Sequence, residues 1–202
     1  QVPKGLQVQR AVRIQNAQNW AEYTSRQEEI RAELKGLREK GHSLYDSVPS
    51  LKTDVAKFGE ISGSELDVGT NSVWLFHGTQ AAEAIAKSDF RIDLAGSHAG
   101  TLYGRGVYLA ESCAKSDEYS SEDKDGLRQI LVCRTCLGNI LYCDERSPNR
   151  DELVRACTTH PAIYHSVLGD REKTVGTFRE FIVYDEDQVY PEFVVWYKRQ
   201  YD

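Results

Sequence analysis

Strand-like segments dominate this chain after one long helical pattern near its start, and that order restricts the possible folds more than any other feature. Apolar residues recur at intervals of three and four from Trp20 to Leu37, while the opposite positions are largely charged. This period predicts an amphipathic helix. Asn16 can cap the start of that helix with its side chain, and Gly41 is typical of the position just after a helix end.

Seven segments have the composition of strands. Most of them are rich in β-branched and aromatic residues, and the first alternates loosely between apolar and polar positions. The predicted strands are residues 8–15, 73–76, 107–110, 129–137, 139–144, 178–184 and 192–198. Two shorter stretches, 81–87 and 112–121, have helical composition. One leading helix followed by many strands predicts an α+β fold built on antiparallel sheet.

Length and charge exclude several classes of protein. The chain has 202 residues, which fits one domain, and its formal net charge of −6 argues against a dedicated nucleic-acid binder. No apolar run is long enough for a membrane helix. We expect a monomeric domain without membrane partners or a strong nucleic-acid signal. Because the chain begins at Gln1 without a methionine, we expect a fragment of a longer protein.

The cysteines bear on compartment and metal binding. Five cysteines in a chain of this size favour reduced thiols, and hence an intracellular protein of the cytoplasm or nucleus. Cys133 and Cys136 form a C-x-x-C pair, and Cys143 follows. A structural zinc site needs four ligands, and odd spacing along a strand points two cysteines to opposite faces. We therefore expect no metal site.

Two common catalytic patterns are only partly present. Gly104-Arg105-Gly106 precedes a strand rather than a helix, which disfavours a Rossmann dinucleotide loop. Ser112, Cys113 and Ser116 cluster without the G-x-S-x-G sequence of a nucleophile elbow. Neither pattern predicts the chemistry on its own.

Several motifs together carry a resemblance that spans nearly the whole chain. They are RIQNAQNWAEY (13–23), VWLFHGT (73–79), YGRGVYLAESCAKSDEY (103–119), HSVLG (165–169) and FREFIVYDEDQVYPEFVV (178–195). In order, spacing and residue type they resemble the catalytic domain of the poly(ADP-ribose) polymerase family, the diphtheria-toxin-like ADP-ribosyltransferases. The resemblance implies a split antiparallel β-sandwich with a long N-terminal helix, and one ADP-ribosyltransferase catalytic domain over residues 1–202.

The resemblance also implies a site for NAD, used as a substrate and without a metal. It assigns catalytic roles to Glu180, His77 and Tyr108, with His77 bonding ribose hydroxyls and Glu180 beginning its strand. Gly78 and Ser116 should fix the nicotinamide carboxamide, and the rings of Tyr108 and Tyr119 should flank nicotinamide above the small Ala110. The full set expected to bind NAD is His77, Gly78, Thr79, Arg91, His98, Tyr108, Ala110, Lys115, Ser116 and Tyr119.

Two regions carry further expectations. The family often has an asparagine where this chain has Glu83, which bears on contacts with the adenosine side of NAD. Residues 89–102 should form the loop that covers bound NAD, with Ser97 and His98 at its tip. Loops of that length in a compact domain are usually functional.

The implied reaction transfers ADP-ribose from NAD to protein acceptors and releases nicotinamide. Cleavage of the nicotinamide–ribose bond passes through an oxocarbenium-like transition state, which a carboxylate stabilises. His77, Tyr108, Glu180 and Lys115 match members that elongate chains, and we expect elongation. A strict mono-ADP-ribosyltransferase, a silent module that binds NAD or ADP-ribose, and a toxin-type transferase are the alternatives.

Overall fold

The computed structural model describes residues 3–44, 51, 63, 65–92 and 101–201. The strands in this part of the chain are β1 (Gly5–Arg13), β2 (Ser72–Gly78), β3 (Val107–Leu109), β4 (Arg128–Cys136), β5 (Ile140–Cys143), β6 (Ser166–Gly169), β7 (Glu180–Val183) and β8 (Val189–Gln200). The helices are α1 (Ala17–Glu39), α2 (Ala82–Lys87), α3 (Cys113–Asp117), α4 (Arg150–Thr158) and α5 (Arg171–Val175). Short 3₁₀ helices cover Val68–Thr70 and Glu186–Gln188.

These strands form two four-stranded sheets. The first sheet has the order β1-β8-β4-β2 and is antiparallel throughout. The second has the order β3-β7-β6-β5, in which β5 and β6 are parallel and the other pairs are antiparallel. A bridge between Phe76 and Ala110 joins the sheets, with N···O distances of 2.8 and 2.9 Å. The two sheets therefore meet where β2 passes the end of β3.

The core lies between the two sheets. It contains Leu75, Leu131 and Val194 from the first sheet and Leu168 and Phe181 from the second, each at most 3% exposed. Burial of this kind stabilises the fold by about 1.5–3 kcal/mol for each large aliphatic side chain. The predicted α+β class is confirmed. Both sheets are mainly antiparallel, as predicted, and β5 with β6 is the parallel pair among the described strands.

Helix α1 packs on the outside of the first sheet. Asn16 caps it as predicted, since its Oδ1 accepts a hydrogen bond from the Asn19 amide at 3.2 Å. Its buried residues Tyr23, Ile30, Leu34 and Leu37 belong to the predicted apolar stripe. Trp20 is a correction, because it remains 40% exposed and touches Tyr190 edge-on at 5.0 Å. Gly41 follows the helix end with a φ of 77°, which suits glycine.

The predicted arrangement of the cysteines is confirmed. Cys133 lies in the core between the sheets, whereas Cys136 packs on the other face against α1. All five cysteines are free thiols. None of the described helices combines the length and apolar character needed to cross a membrane.

Two segments differ from the sequence predictions. The helix predicted over 112–121 is confined to α3, and the strand predicted over 192–198 begins three residues earlier, as β8. Residues 93–100 of the expected covering loop, which include Ser97 and His98, lie outside the described residues.

Candidate active site

A cleft of about 900 Å³ opens where the two sheets meet. Strands β2 and β3, the start of β7 and helix α3 all contribute to its wall. The predicted residues that line it are His77, Gly78, Thr79, Arg91, Tyr108, Ala110, Lys115, Ser116, Tyr119 and Glu180. The structure therefore brings together residues more than 100 positions apart in the sequence. His98 is the predicted site residue outside the described part of the chain.

His77 is held in one orientation at the end of β2. Its Nδ1 lies 2.8 Å from the carbonyl oxygen of Tyr108. Because a carbonyl can only accept, Nδ1 carries the proton and Nε2 is left as an acceptor. Phe90 contacts the imidazole edge-on, with ring centroids 5.1 Å apart. Burial lowers the pKa of His77, so the ring is neutral at neutral pH and can accept a hydrogen bond from a hydroxyl.

Gly78 is required where β2 meets α3. A Cβ atom at this position would lie 1.8 Å from the carbonyl oxygen of Ser116, far inside contact distance. Ser116 itself is only 3% exposed. Any side chain at residue 78 would therefore push α3 away from the strand and widen the cleft.

The two predicted tyrosines have different environments. The hydroxyl of Tyr108 donates to the carbonyl of Gly104 at 2.8 Å and accepts from the amide of Tyr103 at 3.0 Å. These bonds fix the ring, and burial raises the pKa of Tyr108, so it stays protonated. Tyr119 is 48% exposed at the cleft wall, which leaves ring surface available to a planar ligand.

Glu180 supplies a carboxylate to the cleft from the first position of β7, as the motif predicted. Its side chain is buried, and Lys115 Nζ lies 3.5 Å from Oε1. Burial raises the pKa of Glu180, and the charge of Lys115 opposes that shift. Lys115 also donates to Glu118 at 2.9 Å and to the hydroxyl of Tyr119 at 3.2 Å.

An ion pair beside Glu180 was not found by the sequence analysis. Arg179 donates from Nε and a terminal nitrogen to the two carboxylate oxygens of Glu111, at 2.6 and 2.7 Å. Both side chains are buried. This two-bond contact joins the segment just before Glu180 to the segment just after Ala110. It therefore holds two parts of the cleft wall together.

Phe90 and Asp89 were also missed, and both line the cleft. Burial raises the pKa of Asp89 to about 6. Glu22 and Asp187 lie beside it, with carboxylate oxygens within 4.8 Å of one another. No local pattern marks these residues, because the helix and the 3₁₀ turn that bring them together are remote in sequence.

Glu83, where the family often has an asparagine, is exposed on α2. Its Oε1 accepts from Gln129 at 3.5 Å, and it does not line the cleft. The expectation about the adenosine side of NAD stays a prediction.

The cleft can bind a flat, cationic ring and stabilise positive charge. Aromatic faces attract cations by about 0.5–2 kcal/mol. A carboxylate in a low-dielectric wall stabilises a developing cation more strongly than the same group would in water. This combination suits the cleavage of a glycosidic bond between a sugar and a ring that is cationic before the bond breaks.

Comparison with known proteins gives one consistent family. Residues 1–199 match the family model of the poly(ADP-ribose) polymerase catalytic domain. The chain is 29% identical over 195 residues to the Caenorhabditis elegans protein named poly [ADP-ribose] polymerase tankyrase, covering 81% of this chain and 8% of that protein. It is 33% identical over 129 residues to human protein mono-ADP-ribosyltransferase PARP12, covering 61% of this chain and 16% of that protein. Mouse protein mono-ADP-ribosyltransferase PARP11 is 26% identical over 149 residues, with 62% and 42% covered.

The chain thus spans less than half the length of each of these relatives. The family model, in contrast, covers almost every residue of it, including both sheets and the cleft. The resemblance expected from the sequence motifs is confirmed by this match. The chain belongs to the poly(ADP-ribose) polymerase catalytic domain family, whose domain uses NAD as its substrate.

Proposed function

We propose that this domain transfers ADP-ribose from NAD to protein acceptors, releases nicotinamide, and can add further units to form chains. The observation that carries this proposal is the buried carboxylate of Glu180, 3.5 Å from Lys115 in a wall of the cleft. A group so placed can act on the sugar carbon on one side and on an acceptor hydroxyl on the other.

The donor half of the cleft supports the binding of NAD by neutral groups. His77 offers Nε2 to a ribose hydroxyl, and Gly78 and Ser116 form the close contact expected to fix the carboxamide. Tyr119 and Tyr108 offer aromatic surface to nicotinamide. Because these groups carry no charge, they can bind the nicotinamide ring without repelling its positive charge.

Glu180 then stabilises the transition state. As the nicotinamide–ribose bond breaks, positive charge shifts from the pyridinium ring to the ribose ring, and the nearby carboxylate favours that shift. Nicotinamide leaves as a neutral molecule and needs no proton. The acceptor loses a proton when it attacks the sugar, and Glu180 can accept a hydrogen bond from that nucleophile and then take up the proton before passing it to water.

The number of units added is the finer part of the proposal. An acceptor that is itself ADP-ribose presents a ribose hydroxyl, which a carboxylate at the position of Glu180 can orient. Similarity to a protein named poly [ADP-ribose] polymerase supports elongation, whereas similarity to proteins named mono-ADP-ribosyltransferases favours single transfer. The two relatives of the second kind cover a smaller share of this chain.

Labelled NAD distinguishes these outcomes. The domain is incubated with NAD labelled in the adenylate part, and the products are separated on a denaturing gel. A ladder or smear supports elongation, and one sharp modified band supports single transfer. Labelled NAD that stays intact, with no nicotinamide released, would contradict the enzymatic proposal and favour a silent binding module.

We also propose that the protein works in a reducing compartment of the cell. Its five thiols are unpaired with one another, and Cys133 and Cys136 lie on opposite faces of β4. Alkylation of protein isolated from cells, followed by mass spectrometry, tests this. Disulfide-linked peptides would contradict it.

A further inference from the structure

A second groove, of about 510 Å³, lies beside the cleft on the far side of a short turn. Thr101 lines both spaces, so the groove begins where the cleft ends. The groove is formed by the turn that carries Gly104 and Arg105 and by one face of α4. A molecule bound in it would lie beside the cleft without filling it.

The walls of this groove are basic in an acidic protein. Within the described part of the chain, it is lined by Arg105, Arg150 and Arg155 and by one carboxylate, that of Asp151. All three arginines are exposed, and within the described residues none of them has an ion-pair partner. Arg155 is oriented by a bond from Nε to the backbone oxygen of Asp151 at 3.2 Å. Three guanidinium groups around one groove, in a chain of net charge −6, favour an anionic ligand.

The groove is built on well-packed backbone. Gly104 has a φ of 93°, and a Cβ atom there would lie 2.4 Å from a methyl group of Val154 on α4. The turn therefore packs directly on the helix. The carbonyl of Gly104 also accepts the hydroxyl of Tyr108. One turn thus contacts the groove on one side and a wall of the cleft on the other.

The lining distinguishes among anions. Among the residues that the structure describes, it contains threonine, glycine, valine, arginine and aspartate and no aromatic side chain. The cleft, in contrast, offers Phe90, Tyr108 and Tyr119. Proteins that bind nucleotides or single strands commonly stack bases on aromatic rings. A groove with arginines and without such rings suits the carboxylate or phosphoryl groups of a peptide.

We infer that this arginine groove binds an acidic segment of the acceptor protein and so selects acceptors that carry negative charge beside the modified residue. The inference rests on the proposed transfer to proteins and names the class of acceptor. Arginine forks bind carboxylate and phosphoryl groups with paired hydrogen bonds, so either can occupy the groove.

Fluorescent peptides test the inference without requiring catalysis. Three peptides share one sequence around a serine and differ only in the flanking segment. That segment is a run of glutamates in the first peptide, of phosphoserines in the second and of glutamines in the third. Binding to the whole chain is followed by anisotropy at low and physiological salt. We expect the two acidic peptides to bind about tenfold more tightly than the glutamine peptide, since charged hydrogen bonds are about twice as strong as neutral ones. The better of the two acidic peptides identifies the preferred group.

Variants link this preference to the groove. Arg150→Glu/Arg155→Glu should remove the preference for acidic peptides, and Lys40→Glu/Lys124→Glu is the control with the same change in net charge at exposed sites elsewhere. Arg105→Glu reverses a charge on the turn side of the groove and leaves α4 unchanged. It therefore provides the same test if the double variant in α4 is unstable. Nicotinamide release to water should match that of the unchanged protein in every variant.

Two results would overturn the inference. One is equal affinity for the acidic and glutamine peptides, or an equal loss of affinity for the acidic peptides in the groove variants and in the lysine control. The other is groove-dependent binding of free ADP-ribose or a single-stranded oligonucleotide in place of the peptides. Absence of nicotinamide release from the unchanged protein would instead contradict the proposed function, and the binding data would stand apart from it.

Discussion

The two sheets of this domain contain two buried glutamates with opposite surroundings. In the first sheet, where strands run for 7 to 12 residues, Glu192 lies on β8 and is only 1% exposed. It pairs with buried Arg134, and Arg13 lies 2.9 Å from its other oxygen. In the second sheet, where strands have three or four residues, Glu180 has Lys115 at 3.5 Å and faces the cleft.

This contrast explains where the protein keeps its chemistry. A buried carboxylate flanked by two guanidinium groups has its charge compensated by fixed partners and serves the scaffold. A buried carboxylate with a longer contact to one lysine keeps bonding capacity for a substrate. Long strands give the first sheet a continuous hydrogen-bonded ladder, and short strands bring the ends of several elements of the second sheet to the cleft.

Glu180→Gln is expected to have the largest effect. Glutamine keeps the shape of the side chain and removes its charge, so transfer of ADP-ribose should fall by about 10²–10³. Affinity for NAD should change by only a few-fold. Burial disfavours the charged form of Glu180 and Lys115 favours it, so these two effects of removing the charge oppose each other and thermal stability should be nearly unchanged. Single-turnover transfer from labelled NAD, with a melting curve of each protein, measures both quantities.

Glu192→Gln is the matched control in the first sheet. It leaves Arg134 buried without its charged partner, which should cost about 3 kcal/mol of unfolding free energy. Transfer per folded molecule should match that of the unchanged protein. If Glu192→Gln impaired transfer while Glu180→Gln impaired only folding, the roles given to the two carboxylates would be reversed.

Arg179→Met tests whether the second sheet, like the first, depends on a buried ion pair, here the pair of Arg179 with Glu111. The change removes the guanidinium that binds both carboxylate oxygens of buried Glu111, so the unfolding free energy should fall by about 3 kcal/mol. Glu111→Gln/Arg179→Met removes both charges and should recover part of that loss. Urea unfolding of the unchanged protein, of the single variants Arg179→Met and Glu111→Gln, and of the double variant measures the coupling between the two residues.

The same variants separate positioning from simple stability. If the pair positions Glu180, the double variant should remain below the unchanged protein in kcat, with KM for NAD unchanged. A double variant that regains both stability and full kcat would show that the pair only stabilises the fold.

The sequence predicted those parts of the molecule whose signal is local. Strands β2 and β7 are compact apolar runs, and the cap of α1 depends on residues three apart, so each could be identified from a short window. Helices α4 and α5 were missed because they are short and none of their residues is fully buried. The parallel pairing of β5 with β6 depends on which strands become neighbours, and a single strand pattern does not contain that information.

The candidate site divides in the same way. Glu180, His77 and Gly78 lie in motifs and were identified through the family resemblance. Arg179 and Glu111 are 68 residues apart, and Phe90 meets His77 only because β2 and the segment after α2 fold against each other. Contacts of that kind are set by packing between elements, which composition and periodicity do not describe.

Gly78→Ala tests the place where the first sheet contributes to the cleft. The added methyl group would overlap the carbonyl of Ser116, so α3 must move and the expected carboxamide site is lost. A nicotinamide-like benzamide at about 100 times its Kd should stabilise the unchanged protein by about 2.7 kcal/mol and raise its Tm. That shift should be absent in Gly78→Ala and in Tyr119→Ala.

Gly126→Ala is a control for the benzamide experiment, because a Cβ atom there meets no atom within 4 Å, although its φ of 70° adds some strain. Its benzamide shift should match that of the unchanged protein. An equal shift in Gly78→Ala would show that benzamide binds elsewhere and that residue 78 does not border the nicotinamide site.

Asp89→Asn should have the smallest effect, and it extends the comparison to a carboxyl group of the cleft that belongs to neither sheet. Burial raises the pKa of Asp89 from 3.8 to about 6, and the neighbouring charges of Asp187, Glu22 and Glu186 add to that shift. Between these two values the folded protein binds more protons than the unfolded chain, so the free energy of unfolding falls as the pH rises through this range. Above about pH 6 the carboxylate is charged in both states, and asparagine removes a cost paid only by the folded state. The variant should therefore be more stable than the unchanged protein by about 1 kcal/mol at pH 8, after allowance for partial exposure, and equally stable at pH 4. Urea midpoints at the two pH values measure this difference. A stabilisation of the same size at both would mean that the charge of Asp89 is not its cause.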